Sequence, residues 1–415
     1  MKGDKKSNFT VNPGSMFQIF LNSDILDQIK AIQNNENLKD EREVIIRAIQ
    51  NYSKKNTLDS TQQQNRFNDE ISHTTFDGHI EMEKIKKILE QVTSENLIKK
   101  LPQHEIYKMR DAGMIHRFHT KILPVKFALM CLSKMIIEQE SPWIDLNEFK
   151  EYALDSAKIF IKKFDSSSIR TNFKVHTGFP ISRLNNFKSD EDSYLSYARS
   201  SKRFTEQFVG RKLRMKEPQK EYDVQIGGAL FEFGLIKAKS EIVDELHDSK
   251  KIYVTLSENG KEFVSYKNDL IDFIYNVKAN QPSSIFSQQE TEFYFKKILP
   301  EFEFEHIFVK LLLEKEQIEV TVKRDGEQTV EIFNCSKIEH TSKIRDLFKQ
   351  EFRTFCEKKF DDVRFLNTLE EESIRIRSNT IMGRLMEFGV YTKDPKSKSG
   401  PYTRNHFVHN LSYLR

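Results

Sequence analysis

The sequence predicts a mainly α protein with small β elements. Two observations favour helices: apolar residues recur at intervals of three and four along much of the chain, and several of these segments begin at Ser or Asp, which cap helices. Short segments in which apolar residues alternate predict the strands. A chain of 415 residues is too long for one ordinary core, so we expect two to four domains.

The composition is typical of an ordered, water-soluble chain. It is 38% hydrophobic and 31% charged, with a net charge of only +4, so a nucleic-acid surface would need local clusters of cations. The three cysteines are widely spaced and form no CxxC pair. This argues against a disulfide framework or a zinc module and favours a cytoplasmic protein.

No segment of the sequence predicts membrane insertion. The first ten residues contain no apolar stretch of the kind found in signal peptides. The most apolar window, residues 122–137, carries two lysines and is too short to cross a bilayer. We predict that this window is a buried helix and expect no membrane partner.

Residues 16–55 predict a strand followed by two helices. Apolar residues alternate from Phe17 to Leu21 as in a strand, and Ser23 is placed to cap the first helix. A lone short strand leaves its backbone groups unpaired and is expected to pair with the same strand of a second copy. The segment therefore predicts a homodimer.

This pattern, and above all its ending "EVIIRAIQNYSKK", resembles the ribbon-helix-helix superfamily. The resemblance implies that two paired strands enter the major groove of double-stranded DNA. Met16, Gln18 and Phe20 would then face the bases, and Lys39 would lie near a phosphate at the start of the second helix. The family often has Arg or Lys at the position of Phe20, which leaves open a strand that serves only to dimerise.

A flexible linker is predicted at residues 57–80, because they are polar, rich in Gln, Asn and Thr, and without periodicity. The linker would separate a ribbon-helix-helix domain, residues 1–56, from a helical body. Within the body, "QPSS" at 281–284 is a candidate boundary. The predicted domains of the body are residues 81–280 and residues 285–415.

Several elements of the body have clear signals. Asp145 and Ser257 are each placed to cap a helix. A β-hairpin is predicted over 316–333 with Asp325-Gly326 as its turn, followed by a helix over 341–359.

The chain also contains a repeat of nine residues, "GALFEFGLI" at 228–236 and "GRLMEFGVY" at 383–391. In each copy the second glycine, Gly234 or Gly389, stands where a helix is expected to end. This order, in which a helix ends at glycine and is followed by a strand, a loop and a second strand, resembles the end of a winged helix-turn-helix. The resemblance is loose and implies one or two winged-helix units; the alternative is two helices that end in glycine, as helices often do.

Two clusters of cations are the predicted DNA-binding surfaces of the body. The denser one lies in "RSSKRFTEQFVGRKLRMK", where Phe204 and Phe208 are spaced to be buried on one face of a helix while the cations are exposed. The alternative is an ordinary solvated helix face. The predicted contacts are Arg199, Lys202, Arg203, Arg211, Lys212 and Arg214 in the first cluster, with Lys216 beside them, and Lys393, Lys396, Lys398 and Arg404 in the second.

Motifs of catalysis are lacking. The sequence has no GxxxxGK[ST], GxSxG or HExxH pattern, so we predict a non-enzymatic protein without a cofactor or metal. His116 and His119 share a helical spacing but have no third ligand nearby, so surface or packing histidines are expected. Glu319 and Lys323 lie four apart on a predicted strand, whereas the usual nuclease pair lies two apart.

The predicted function is that of a dimeric transcription regulator that binds double-stranded DNA. Three alternatives stay open. The first is a replication-initiator or partition-type DNA-binding protein of a plasmid, virus or defence system. The others are a dimeric interaction scaffold and an unrecognised nuclease.

Overall fold

The computed structural model divides the chain into two compact units, Met1–Thr75 and Phe76–Arg415. The residues that it describes are 9–12, 15–17, 80–92, 97–98, 113–116, 119–164, 178–180, 190–213, 225–244, 249–272, 285–324, 326–360, 364, 366, 371–393 and 401–405.

The described part of the first unit is a small antiparallel hairpin. It consists of β1 (Phe9–Asn12) and β2 (Ser15–Phe17), with Phe9 opposite Phe17 and Thr10 opposite Met16. β2 thus pairs within its own chain. The predicted helices of the ribbon-helix-helix and most of the linker lie outside the described residues, so both stay predictions.

The second unit is mainly helical with small sheets. Its helices are α1 (Met82–Leu89), α2 (Leu123–Glu138), α3 (Leu146–Phe164), α4 (Asp190–Arg203), α5 (Ala229–Glu232), α6 (Glu258–Ser265), α7 (Asp269–Asp272), α8 (Gln288–Phe293), α9 (Glu303–Glu314), α10 (Thr341–Lys359) and α11 (Glu371–Glu387). Its strands are β3 (Ile144–Asp145), β4 (Arg211–Leu213), β5 (Gln225–Gly227), β6 (Ile236–Asp244), β7 (Ser249–Leu256), β8 (Gln317–Arg324), β9 (Glu327–Asn334), β10 (Lys337–Ile338), β11 (Tyr391–Lys393) and β12 (Tyr402–Arg404).

The predicted local signals of the body are confirmed where the structure describes them. Asp145 Oδ1 accepts hydrogen bonds from the Asn147 and Glu148 amides at 2.7 and 3.3 Å, so it caps α3. Ser257 caps α6 in the same way, with the Gly260 amide at 3.0 Å. The hairpin of β8 and β9 and the bounds of α10 agree with the predicted ranges.

The apolar window forms α2, which is buried nearly all round. Even Lys126 and Ser133 on this helix are inaccessible to solvent. Because α2 contacts helices and strands on several sides, it is the centre of the core. Among the described helices, none combines the length and the apolar character that a membrane crossing requires.

The second unit contains the same arrangement twice. In the first half α2 is followed by β3, α3, α4 and the pair β6–β7, and the sheet has the strand order β3-β7-β6. In the second half α9 is followed by β10, α10, α11 and the pair β11–β12, and the sheet has the order β10-β12-β11. With β4, β5 and the short α5 left out of the first half and β8 and β9 left out of the second, each half runs helix, strand, helix, helix, strand, strand, with the last strand in the middle of its sheet.

The strand registers of the two sheets are also equivalent when residues are counted from the repeated glycine. Two residues after Gly234, Ile236 is opposite Leu256, and two residues after Gly389, Tyr391 is opposite Arg404. The first strand of each sheet then pairs through an isoleucine, Ile144 with Val254 and Ile338 with Tyr402.

The nine-residue repeat builds the same helix ending in both halves. Gly234 and Gly389 have φ values of +65° and +67°. In the first copy the Gly234 amide donates to the Phe231 carbonyl and the Leu235 amide to the Leu230 carbonyl. Gly389 and Val390 make the equivalent bonds to Met386 and Leu385. These paired bonds are a Schellman motif, which explains why glycine stands at this position in both copies.

A polar residue after the last strand closes each repeat. The Ser257 amide donates to the Leu235 carbonyl at 3.0 Å, and its hydroxyl donates to the Gly234 carbonyl at 2.6 Å. Asn405 does the same in the second half: its amide donates to the Val390 carbonyl at 2.9 Å and its side chain to the Gly389 carbonyl. The resemblance between the halves therefore extends well beyond the nine letters.

Each half also carries a hairpin that the other lacks at that point. In the first half, the hairpin of β4 and β5 lies between Gly210 and Gly228, ahead of α5. A Cβ placed on Gly228 would lie 2.8 Å from the Gly210 Cα, so the chain returns to the point where it left. In the second half the hairpin of β8 and β9 lies between α9 and β10.

Replacing Gly234 by Ala should lower the free energy of unfolding by about 1 kcal/mol, because an L-residue is strained at this positive φ. No atom lies within 4 Å of the added Cβ, so steric clash does not contribute. Gly383→Ala, inside α11, is the control and is expected to be neutral or slightly stabilising, because alanine favours helix. Denaturant unfolding measures both, and equal losses would contradict the assignment.

Candidate nucleic-acid interface

The densest predicted basic segment forms the end of α4 and the π-helical turn Phe204–Val209 that continues it. Arg199, Lys202 and Arg203 on α4 are exposed, as predicted. Phe204 and Phe208 are fully buried, also as predicted. The helix therefore presents cations to solvent on one side and anchors itself to the core on the other.

The two anchoring phenylalanines belong to an aromatic cluster. The Phe204 and Phe179 rings are stacked with their centroids 5.8 Å apart, and the Phe208 ring lies 6.3 Å from that of His119. Such packing fixes the direction of the helix. As a result, the exposed cations occupy defined positions on the surface.

The neighbouring strand β4 adds further positive charge. Lys212 is exposed and Arg211 is partly exposed, directly after the π-helical turn. We call Arg199, Lys202, Arg203, Arg211 and Lys212 the α4 basic surface. Arg214 and Lys216 lie outside the described residues.

One carboxylate lies within this surface. Glu206 is 3.8 Å from the Lys202 ammonium, one helical turn away. A pair this exposed contributes little to stability and leaves Lys202 available to another anion. The balance of charge on the α4 basic surface stays positive.

Only Lys393 and Arg404 of the second predicted cluster lie among the described residues. Lys393 is partly exposed and lies over the Tyr402 ring at 5.3 Å. Lys396 and Lys398 lie outside the described residues. Arg404 is only 8% exposed. Its guanidinium donates to the carbonyls of Leu312, Leu313 and Lys315 at 3.0–3.1 Å and pairs with Glu316.

Arg404 is therefore corrected from a DNA contact to a structural residue. The last carbonyls of a helix have no partner within the helix, and the guanidinium supplies donors for those of α9. No local pattern in the sequence indicates this role, because the carbonyls that Arg404 contacts lie about ninety residues earlier in the chain.

The second half also exposes cations that were not predicted from the sequence. Lys349 and Arg353 lie on the outer side of α10, and Arg375 lies on α11 with the exposed Asn379 one turn later. Lys349 pairs with Glu371 at the start of α11 at 2.7 Å. The spacing of Lys349 and Arg353 by four residues was the available signal, but Glu351 between them made the segment look balanced in charge.

The predicted contacts of the N-terminal strand are only partly described. Met16 lies in β2, whereas Gln18, Phe20 and Lys39 lie outside the described residues. Their role in base or phosphate contact stays a prediction.

Buried polar contacts hold the two halves of the second unit together at residues 119–123. The Glu387 carboxylate accepts hydrogen bonds from the Ile122 and Leu123 amides at 2.7 and 3.5 Å, where α2 begins. The Lys121 ammonium donates to the Gly383 carbonyl at 3.1 Å. The start of the central helix of the first half is thus bound to α11 of the second.

Arg384, beside Glu387 in the repeat, makes a second buried link. Its guanidinium donates to the His119 carbonyl at 2.6 Å and pairs with Glu305 on α9. Glu305 also accepts from the Ile115 amide at 3.2 Å. Glu232, the glutamate of the first repeat copy, lies 3.3 Å from His119 Nδ1.

A third link joins α2 to α8. The Lys126 ammonium lies 3.2 Å from Glu290 and donates to the carbonyls of Phe263 and Tyr266. Burial lowers the pKa of Lys126 and raises the pKa of Glu290, and their mutual attraction opposes both shifts. Such a pair is better evidence for a specified arrangement than for added stability.

His116 and His119 are packing residues. They are buried with their ring centroids 5.3 Å apart. All three cysteines are also buried and form no disulfide. Within the described ranges, no three His, Cys, Asp or Glu side chains are grouped so as to hold a metal ion.

Replacing Arg404 by Ala should lower the free energy of unfolding by roughly 2–3 kcal/mol, because buried carbonyls lose their donors. Arg199→Ala removes an exposed arginine and should change it by less than about 0.5 kcal/mol. Denaturant unfolding of both variants measures the difference. Equal effects would contradict the structural role of Arg404.

Glu387→Gln should change the pH dependence of stability. Burial raises the pKa of Glu387 above its usual value of 4.5, against the opposing effects of Lys121 and the two amides. The folded state thus holds this proton more tightly than the unfolded state, so the contribution is full below pH 4.5 and is lost as pH rises through the raised pKa.

The glutamine variant does not titrate, so it should gain stability relative to the wild type as pH rises from about 4 to about 8. Urea unfolding at a series of pH values measures this difference, with Glu301→Gln at an exposed position as the control. Parallel pH profiles for Glu387→Gln and the wild type would show that the prediction is wrong.

Comparisons of the chain with protein-family models, with curated proteins and with solved structures found no match. What the α4 basic surface does must therefore be inferred from its residues and from the repeated arrangement that carries it.

Proposed function

We propose that this chain is a non-enzymatic protein that binds double-stranded DNA, with a winged-helix domain in each half of its second unit. The observation that carries the proposal is the repeated arrangement of helix, strand, helix, helix, strand and strand. In both sheets the last strand lies between the first and the second. This element order and strand order resemble those of winged-helix proteins.

The α4 basic surface supports the proposal for the first half. α4 is the helix that follows α3, and in winged-helix proteins the helix at this place enters the major groove. Cations in this position would contact phosphates, because they release condensed counterions when they bind. The inserted hairpin of β4 and β5 extends the same surface with Lys212.

In the second half the equivalent helix is α11. It exposes Arg375 and Asn379 near its start, and its later turns are buried against residues 119–123. Asparagine can bond an adenine edge, and arginine can bond a guanine edge or a phosphate. The second half therefore has fewer side chains available for DNA than the first.

The N-terminal segment would supply the dimer. If residues 16–55 form a ribbon-helix-helix, two chains are joined and the domains that each carries raise one another's effective concentration on DNA. Gln18 and Lys39 are the proposed contacts of this domain.

Two biological roles use this kind of DNA binding. A dimeric transcription regulator is the first. A replication-initiator or partition-type protein is the second, and the two fused halves of the second unit favour it, because twin winged-helix domains occur in initiators. An interaction scaffold would dimerise without binding DNA, and a nuclease would cleave DNA when a divalent metal is added.

The test is fluorescence anisotropy with labelled duplex DNA at two salt concentrations. We expect the full chain to bind with an affinity that falls steeply as salt rises. The triple variant Arg199→Ala/Lys202→Ala/Arg203→Ala should bind at least about tenfold more weakly and with a shallower salt slope, because three phosphate contacts are removed.

A matched control is the triple variant Lys315→Ala/Lys337→Ala/Lys358→Ala, which removes the same charge from exposed positions outside the α4 basic surface. We expect it to bind almost as tightly as the wild type. If both variants lost the same affinity for DNA, the loss would reflect net charge and not the α4 basic surface. A chain that binds no duplex even at low salt would contradict the proposed function and favour the scaffold.

A further inference from the structure

The hairpin of β8 and β9 presents an unusual edge. Val330 and Ile332 on β9 are 63% and 53% exposed and point to the same face, since strand residues alternate. β8 and β9 form a two-stranded sheet, and within the described residues no strand pairs with the other edge of β9. Two large β-branched side chains therefore lie beside a row of backbone groups that can accept a further strand.

The two edges of this hairpin differ in their protection. On β8 the Thr321 amide donates to Gln350 Oε1 at 2.9 Å, and Gln350 Nε2 donates to the Glu319 carbonyl at 3.2 Å. The side chain of Gln350, on α10, thus occupies the edge of β8. Thr321 is opposite Val330 in the register, so the backbone groups of Val330 point away from β8, to the open edge.

β9 also lacks most of the features that protect natural edge strands. Such strands are usually short or carry charged residues, above all lysine, or proline or a bulge, and of these β9 has only the charges of Glu327 and Glu331. β9 reads "EQTVEIFN", is eight residues long, contains neither lysine nor proline, and pairs with β8 without a register shift. A straight edge with exposed apolar residues indicates a surface that another strand covers.

We propose that β9 pairs with β9 of a second copy of this chain, in antiparallel orientation, to form a four-stranded sheet across a twofold axis. Every copy carries the same edge, and a twofold axis brings two such edges together antiparallel. The proposal concerns a protein interface and does not depend on DNA binding.

Charge and strand length select the register of this pairing, because an axis at Ile332 would pair only residues 330–334 of the two strands, whereas an axis at Val330 pairs residues 327–333. If the axis passed through Glu331, two glutamates would be directly opposite one another, which is destabilising. With the axis at Val330, the two valines are opposite one another and Glu331 is opposite Thr329 of the partner subunit. Ile332 is then diagonal to the partner's Val330, so the two exposed residues of each copy form one apolar cluster.

Sedimentation of the full chain tests the association. Val330→Lys/Ile332→Lys places like charges at the axis, and we expect at least a tenfold weaker association and a mass that falls by half. A dimer formed by the N-terminal segment would persist in this variant, so the association that is lost is the one through β9. Thr321→Lys, on the same face but on the protected strand, is the control and should keep the wild-type mass.

Cross-linking tests the register. In Val330→Cys the two thiols face one another across the axis, so a short bismaleimide should join two copies efficiently. Thr321→Cys should react but not join copies. The natural cysteines are fully buried and contribute no background.

A mass that Val330→Lys/Ile332→Lys leaves unchanged overturns the proposal, and would leave the edge to a strand of another protein. A lack of cross-linking in Val330→Cys above the level of Thr321→Cys also overturns it, because the register then differs from the one that charge and strand length select.

Discussion

The Glu387 carboxylate accepts hydrogen bonds from the first amides of α2, and the arrangement of the second unit depends on this buried contact. α2 is the central helix of the first half, and Glu387 ends the last helix of the second. Its neighbour Arg384 bonds to the His119 carbonyl just before α2. Because these groups are out of water, separating the halves would leave charges and amides without partners. The contact therefore fixes the two halves in one orientation.

The glutamate that recurs in the nine-residue repeat gives the repeat a second structural role. Glu232 and Glu387 occupy the same position in the two copies, three residues after the equivalent of Ala229 and two before the terminal glycine. Glu232 lies beside His119, and Glu387 binds Ile122 and Leu123. Both copies thus direct their acid toward residues 119–123. The repeat specifies how a helix ends and also how the two halves meet.

Local features of the fold could be predicted from the sequence, because short-range chemistry determines them. The caps at Asp145 and Ser257, the positive φ of Gly326 and the burial of Phe204 and Phe208 each follow from a few neighbouring residues. Arg404 could not be placed, since its role depends on α9, about ninety residues earlier in the chain. The same holds for Lys126 and Glu290, whose pairing is 164 residues apart and leaves no local pattern. In the candidate interface, the cations of α4 could be predicted because they are dense in the sequence. Those of α10 and α11 could be recognised only from the positions of the helices in the structure.

The glycines that flank the hairpin of β4 and β5 have a consequence for how this chain can change. A Cβ on Gly228 would lie 2.8 Å from the Gly210 Cα, so the backbones of the two glycines are in direct contact. A chain that passed directly from one to the other would need almost no adjustment of the helices on either side. The hairpin is in this sense an insertion between two adjoining points of the chain, and its removal should leave the helices on either side in place.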